Sequence, residues 1–558
     1  MAEYRERPPQ ESTIQQPQEL VDTQDYSNQY SFSRLVIILA ALAFTLFVSF
    51  IDQTSVSTAL PAIAKSLDAY ESISWVGTSF LVANTSFQLI NGRLSDIFGR
   101  KNCLMTCMAL LAIGDLLCGF AKTPAQLYVF RGIAGVGAGG INSLVMIMFT
   151  DMTTLEQRGK YQGLLETNIA LGNGVGPLIG GAFSQSSATW RWAFWFVVPV
   201  TVMAAVPTYL TSPKSKLVGN MSEKLRMIDY GGMVLSLSCV IFLLIPISSG
   251  GTTWSWSSPL IISFLVIGAC LVVLFVVFEW KYAKYPVMPL RVFDRRSAKI
   301  LFMHNLLTGI VYYSDLYYLP LYFQVVLGHS PLESGLLILP LILGFSASST
   351  TAGFLLSRLG RCNPVIWAGY VMWTAGAGTH IAFGSSTSIG VTIGCLLVEG
   401  FGIGFSFQPV MIALLANTRK EDRAVVTGMR NFIRTVGGAI GLAICAAIIN
   451  NVLQANLPPS MPSQSGMEMI GKLDQLTPGE QSALREAYMK GLDIVFRLAC
   501  PLIGFCLLTS AALTDVPLAT AHEPQEQSGP AIDEKDSGAA SSSPAKTEIT
   551  IDVDLQRK

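Results

Sequence analysis

Stretches of apolar residues, each about twenty long, alternate with short polar connections along most of this chain, and twenty residues of helix cross a hydrocarbon core of about 30 Å. The pattern predicts fourteen helical spans, at about 34–60, 73–92, 102–121, 125–150, 161–183, 192–211, 229–248, 260–278, 300–323, 334–355, 364–384, 389–415, 425–449 and 492–513. Residues 1–33 and 514–558 are polar and read as disordered tails. The stretch 450–490 is the one long loop, with a short surface helix expected over 478–490.

Charge orients these spans. With the amino terminus in the cytosol, the inner connections hold most of the Lys and Arg, among them Arg93, Arg100, Lys101, Arg158, Arg295, Arg361 and Arg419. The outer ones hold only Lys65, Lys122, Arg191, Lys472, Arg485 and Lys490, so the positive-inside bias puts both tails in the cytosol.

The chain also repeats itself. Gly92-x-Leu94-x-x-x-x-Gly99-Arg100 returns as Gly353-x-Leu355-x-x-x-x-Gly360-Arg361 at an offset of 261. At an offset of 265, Gly135, Gly137 and Gly139 return as Gly400, Gly402 and Gly404, and Gly172 and Gly176 as Gly437 and Gly441. The expected organisation is therefore two six-helix halves, 34–211 and 300–513, separated by a linker, 212–299, with two extra transmembrane helices. Parallel repeats with a site between them are the arrangement of a secondary transporter.

Composition narrows the function. Of 558 residues 51% are hydrophobic and 13% charged, the net charge is zero and mean hydropathy is +0.47. A soluble domain carries roughly twice that charge, and no basic excess exists to neutralise nucleic-acid phosphates. The ten cysteines avoid the expected outer loops, so no disulfide framework is expected. Cys103 and Cys107 share a helix face without the partners a zinc site needs, and no metal or cofactor is expected. No Walker loop, His-rich catalytic motif or TVGYG-like filter is present, which argues against an ATP-driven pump, a membrane enzyme and a channel.

Gly92-Arg93-Leu94-Ser95-Asp96-Ile97-Phe98-Gly99-Arg100-Lys101, between spans two and three, resembles the loop motif of the major facilitator superfamily. Its glycines permit a tight turn, Asp96 can face the positive end of a neighbouring helix, and Arg100 can hold a carboxylate. In span five, Gly172, Gly176, Pro177, Gly180 and Gly181 are similar to the motif that marks exporters of that superfamily. Asp52-x-Thr54 in span one and Leu127-x-x-x-Arg131-Gly132 in span four resemble its fourteen-span drug/proton antiporter branch, which includes fungal pumps for toxins, secondary metabolites and drugs. The resemblance implies an all-α integral membrane protein of the major facilitator fold, acting as a monomeric, proton-coupled exporter of a hydrophobic or amphipathic small molecule. It implies residence in the plasma membrane, with the vacuolar membrane as alternative. Import of a siderophore or basic amino acid by the same fold is the rival reading.

A charge at the bilayer centre costs roughly 2.5–3.5 kcal/mol, so each one kept needs a partner, water or a task. Asp52 and Arg131 lie at similar depth and are expected to pair and to handle the coupling proton. Asp315 in span nine and Glu399 in span twelve are further candidates. Asp115, Glu166 and Asp493 lie near span ends and are expected to reach the headgroups. Arg430 and Arg434 are expected either to line the inner mouth or to snorkel. Tyr313 and Tyr317 are candidates for stacking on a flat substrate, and the scattered histidines give no reason to expect a histidine proton relay.

Overall fold

The computed structural model describes residues 31–69, 72–153, 155–186, 189–213, 228–250, 254–283, 288–419, 422–457 and 477–515. Most of both expected tails and the middle of the long loop lie outside the described residues. Helices stand at each predicted place: α1 (Phe32–Leu67), α2 (Ser74–Phe98), α3 (Arg100–Phe120), α4 (Pro124–Met152), α5 (Leu155–Gln185) and α6 (Arg191–Thr211) in the first half. The linker holds α7 (Tyr230–Ser249) and α8 (Pro259–Lys281). The second half holds α9 (Arg296–Leu321), α10 (Pro331–Leu359), α11 (Asn363–Thr379), α12 (Ile389–Ala416), α13 (Arg423–Asn456) and α14 (Pro478–Ser510). No strand occurs among the described residues.

Ten of these helices, all except α2, α5, α9 and α11, are long and apolar enough to cross a membrane by length and composition. Two of the exceptions carry polar side chains into the protein interior: Asn84 and Gln88 on α2, and His304, Asn305 and Asp315 on α9. α11 has only 17 residues and passes into a 3₁₀ turn at His380–Ala382, short of the expected end at 384.

Local chemistry sets several helix ends. Ser330 and Glu333 form a capping box with Pro331 in the first turn of α10, and Thr477, Pro478 and Glu480 do the same for α14. That second box corrects one boundary. The surface helix expected over 478–490 is the opening of α14 itself, and Gly491 lets the helix run on against Ile449 of α13. α13 also continues to Asn456, so the long loop is shorter than expected.

Packing repeats as the sequence does. α1 lies on α5 and α6, and α4 lies on α2 and α3; correspondingly α9 lies on α13, and α12 lies on α10 and α11. Glycines allow the close approaches. A Cβ on Gly135 or Gly139 would strike the backbone carbonyls of Phe80 and Asn84 on α2, and one on Gly137 would strike the carbonyl of Cys107 on α3. Their repeats behave alike: Gly400 and Gly404 face α10, and Gly402 faces Trp373 on α11. The halves meet where α5 packs on α10 and α2 on α13, and α7 lies against the second of these seams. At the α5–α10 contact, Thr167 Oγ1 lies 3.2 Å from both the Ser346 carbonyl and the Thr350 hydroxyl.

Candidate functional site

Between the halves lies a narrow cavity. α1, α2, α4 and α5 line one side and α9 and α13 the other. Gln53, Asn84, Gln88, Asn142, Asn431 and Arg434 give it polar walls, while Phe50, Met146, Ile169 and Tyr313 give it apolar ones. Arg434 stands eleven residues into α13, so roughly 16 Å from its amino end. Its guanidinium lies 5.0 Å over the Phe407 ring, its Nε has no hydrogen-bond partner, and no carboxylate among the described residues lies within ion-pair distance. Arg430, one turn earlier, does not line the cavity and donates to Asn305 Oδ1 at 3.1 Å and the Phe407 carbonyl at 3.2 Å.

Behind the first-half wall, Asp52 faces away from the cavity that its neighbour Gln53 lines. Arg131 Nη1 donates to Asp52 Oδ1 at 2.8 Å and lies 3.5 Å from Asp115 Oδ1. All three side chains are at most 1% exposed, and the guanidinium is covered by the Phe80 ring at 4.1 Å. Asp115 is thus not at the headgroups as expected. α3 turns it inward because Gly114, beside it, sits against the backbone of Ala134 on α4. Asp493 does pair near the surface, with Arg497 at 2.9 Å, while the Glu166 side chain lies outside the described residues.

In the second half the structure brings Asp315 and Glu399 together with His380, which was not among the expected site residues. His380 Nε2 lies 3.2 Å from Glu399 Oε2, and Trp373 Nε1 donates to Glu399 Oε1 at 3.2 Å. Asp115 and His380 share the 265-residue offset of the glycine repeats, a signal that could have found both.

Where α2 meets α3, Arg100 pairs with Asp96 and, through Nε at 3.1 Å, with Asp151 at the end of α4. Arg93 also approaches Asp96, at 3.9 Å. Gly92 lies within α2, and Gly99 takes φ +89° between α2 and α3, a conformation that a side chain would strain. In this arrangement Asp96 is held within its own half, and Asp422 at the amino end of α13 is held by Arg291 through two bonds of 2.8 and 3.0 Å.

The glycines of α5 form the seam with α1. A Cβ at Gly176 or Gly180 would overlap Thr54 Oγ1 or the Ser55 carbonyl, and Gly172 faces Phe47 and Phe50. The carbonyl of Pro177 accepts from Thr58 at 2.9 Å, and Gly181 lies beside the same threonine. This seam flanks Asp52. Of the two candidate aromatics, Tyr313 lines the cavity, whereas Tyr317 is 45% exposed and packs edge-on against Tyr318.

Two repeated helical halves, a partly polar cavity between them and buried charges behind its walls define a membrane transporter. The match to known proteins agrees: residues 42–442 match the Major Facilitator Superfamily, and the chain belongs to it. It is 41% identical over 519 residues to "Citrate exporter 1" of Yarrowia lipolytica, covering 92% of this chain and 77% of that one. It is 34% identical to "MFS-type transporter clz4" of Cochliobolus lunatus, with 85% of each chain covered, and 34% identical to "Efflux pump dotC" of Dothistroma septosporum, covering 76% and 73%. The human organic anion transporter MFSD10 shares the fold with a TM-score of 0.51 at 13% identity, covering 84% of this chain and 99% of that one. The proton:xylose symporter XylE does so with 0.53 at 14%, covering 88% and 100%.

Proposed function

We propose that the protein exports a small organic anion by alternating access, coupled to proton entry, with all fourteen helices crossing the plasma membrane. The observation that carries the anion is Arg434. An unpaired guanidinium at mid-depth of a cavity is costly when empty and becomes an asset when a carboxylate docks on it. The amides of Asn84, Gln88 and Asn431 supply further donors, and Phe50, Met146 and Tyr313 can cover a carbon skeleton. This refines the expectation of a hydrophobic or amphipathic substrate toward an acid with an apolar body. The relative named as a citrate exporter supports a carboxylate, though not the apolar body. The α5 glycines and Pro177, together with the relative named as an efflux pump, support outward transport.

Proton coupling rests on the first-half charges. Arg131 compensates one of Asp52 and Asp115, and a proton compensates the other. When alternating access separates or hydrates the group, the proton can leave inward. The seam of α5 on α1 beside Asp52 gives that movement a place to originate. Asp96, Arg100 and Asp151 form a cytosolic latch within the first half, and Arg291 with Asp422 a second one.

The test is export from proteoliposomes across a panel of di- and tricarboxylates, hydrophobic carboxylates and hydrophobic cations. Each is measured with a pH gradient at clamped voltage and with voltage alone. Voltage must be separated because an outgoing anion is itself driven by about 2.3 kcal/mol per charge per 100 mV. Export of carboxylates that responds to the pH gradient supports the reading. Export of cations alone rejects the substrate class, and indifference to the pH gradient rejects the coupling.

A further inference from the structure

The second half contains a buried polar cluster in which His380 repeats Asp115 at the glycine offset of 265, while Asp315 and Glu399 lie two and three residues from the places that repeat Asp52 and Arg131. Asp315 stands on α9, His380 on the turn that ends α11 and Glu399 on α12, at offsets of 263, 265 and 268 residues. One titratable atom from each lies within 4.8 Å of the others, and all three residues are at most 2% exposed. Asp315 Oδ2, Glu399 Oε2 and His380 Nδ1 lack hydrogen-bond partners.

Here no arginine offsets the carboxylates. Around the cluster, α12 adds Cys395, one turn from Glu399, α13 adds Cys445 against Ser314, and α9 adds Tyr318, whose hydroxyl donates to the Leu442 carbonyl. From α14, Phe496 packs on the His380 ring at 5.5 Å, and Tyr488 lies near Tyr317. No Lys or Arg lies within ion-pair distance of either carboxylate among the described residues. With both carboxyls ionised and His380 neutral, the cluster would hold two uncompensated negative charges inside the membrane, which hydrocarbon does not tolerate.

We propose that Asp315, His380 and Glu399 form a second proton-binding centre, so that each half of the transporter carries its own. The repeat singles out the proton as the bound species. The matching set in the first half contains Arg131, which excludes a metal cation there, and the ligand that both sets can share is the proton. A divalent ion would also have to shed its water among side chains sealed from solvent. The centre communicates with the cavity through Trp373. Its indole N–H holds Glu399, its ring lies 5.6 Å from Phe407, and Phe407 lies under Arg434. Protonation of Glu399 therefore changes the charge two aromatic rings away from the Arg434 guanidinium. Trp373 is a positioning residue in this arrangement.

This inference rests on the proton-coupled reading above, and two measurements keep their failures apart. The first is infrared difference spectroscopy between acid and neutral pH on the purified full-length protein, following the C=O stretch of protonated carboxyl groups. Asp52→Asn should leave a titrating band that Glu399→Gln and Asp315→Asn each remove or shift, and Trp373→Phe should move its midpoint. The second is the equilibrium accumulation of a carboxylate substrate against pH difference at clamped voltage, where Glu399→Gln should lower the order of the proton dependence by one. A spectrum in which neither Glu399→Gln nor Asp315→Asn changes any band overturns the centre. So does stoichiometric zinc or another divalent metal found by elemental analysis in wild type and lost in His380→Gln. If wild type ignores the pH gradient while the Glu399-dependent band is present, the coupling reading fails and proton binding by the centre stands.

Discussion

Replacing Arg434 by glutamine separates a substrate-binding cation from a structural one. In the empty transporter the guanidinium has no acidic partner, its Nε is unsatisfied, and its only charge-specific contact described is the Phe407 ring at 5.0 Å. Keeping such a charge at mid-depth costs roughly 2.5–3.5 kcal/mol, which the ring returns in part, by about 0.5–2 kcal/mol. Cavity water lowers the cost further, so Arg434→Gln should leave the empty protein as stable as wild type or more stable by on the order of 1 kcal/mol. The bound state changes in the opposite direction. A hydrogen bond to a charged group contributes about 1.5–3 kcal/mol, so carboxylate affinity should fall roughly 10- to 150-fold. Isothermal titration of a carboxylate into purified protein gives the affinity, and thermal unfolding without substrate gives the stability. The uncharged amide of the same acid should bind both proteins equally. A variant that melts earlier when empty yet binds the carboxylate with unchanged affinity would refute the assignment, because it would show that Arg434 holds the fold together rather than the substrate.

The remaining predictions follow from the same contacts. Arg131→Gln leaves Asp52 and Asp115 buried without their cation and should destabilise the protein by about 3–5 kcal/mol in thermal unfolding, with partial rescue by a second change, Asp52→Asn; an unaffected melting curve would show that the trio is not a charge-compensated unit. Asp52→Asn alone should abolish export driven by a pH gradient while substrate binding survives, and full gradient-driven accumulation by this variant would move the coupling elsewhere. Gly180→Leu forces a side chain into the Ser55 carbonyl and should cost at least about 1–3 kcal/mol and block transport, whereas Gly132→Ala, with open space at its Cβ position, should do neither. Asp96→Asn removes the anion that Arg93 and Arg100 share and should slow transport several-fold with normal expression and binding; an unchanged rate would take Asp96 out of the gating mechanism.

Helix positions, the two-fold repeat and the motif residues were legible from the chain, because a bilayer imposes a length on each span and a repeat leaves its glycines at a constant offset. The pairing of Asp52 with Arg131 was also legible, since depth along a helix follows from residue count. What sequence could not decide was the direction in which a polar residue points. Asp115, near a helix end, reads as a headgroup contact, yet its helix is rotated so that it faces Arg131. His380 reads as an isolated histidine, yet the turn that ends α11 carries it to Glu399. Arg430 and Arg434 are one helical turn apart, yet one is held by Asn305, Asn431 and the Phe407 carbonyl and the other opens into the cavity. In water, hydrophobic periodicity reports the rotation of a helix; in lipid, where the outer face is as apolar as the core, that signal fades. Rotation is then set by contacts between helices, by which glycine meets which carbonyl, and these exist only once the chain has folded.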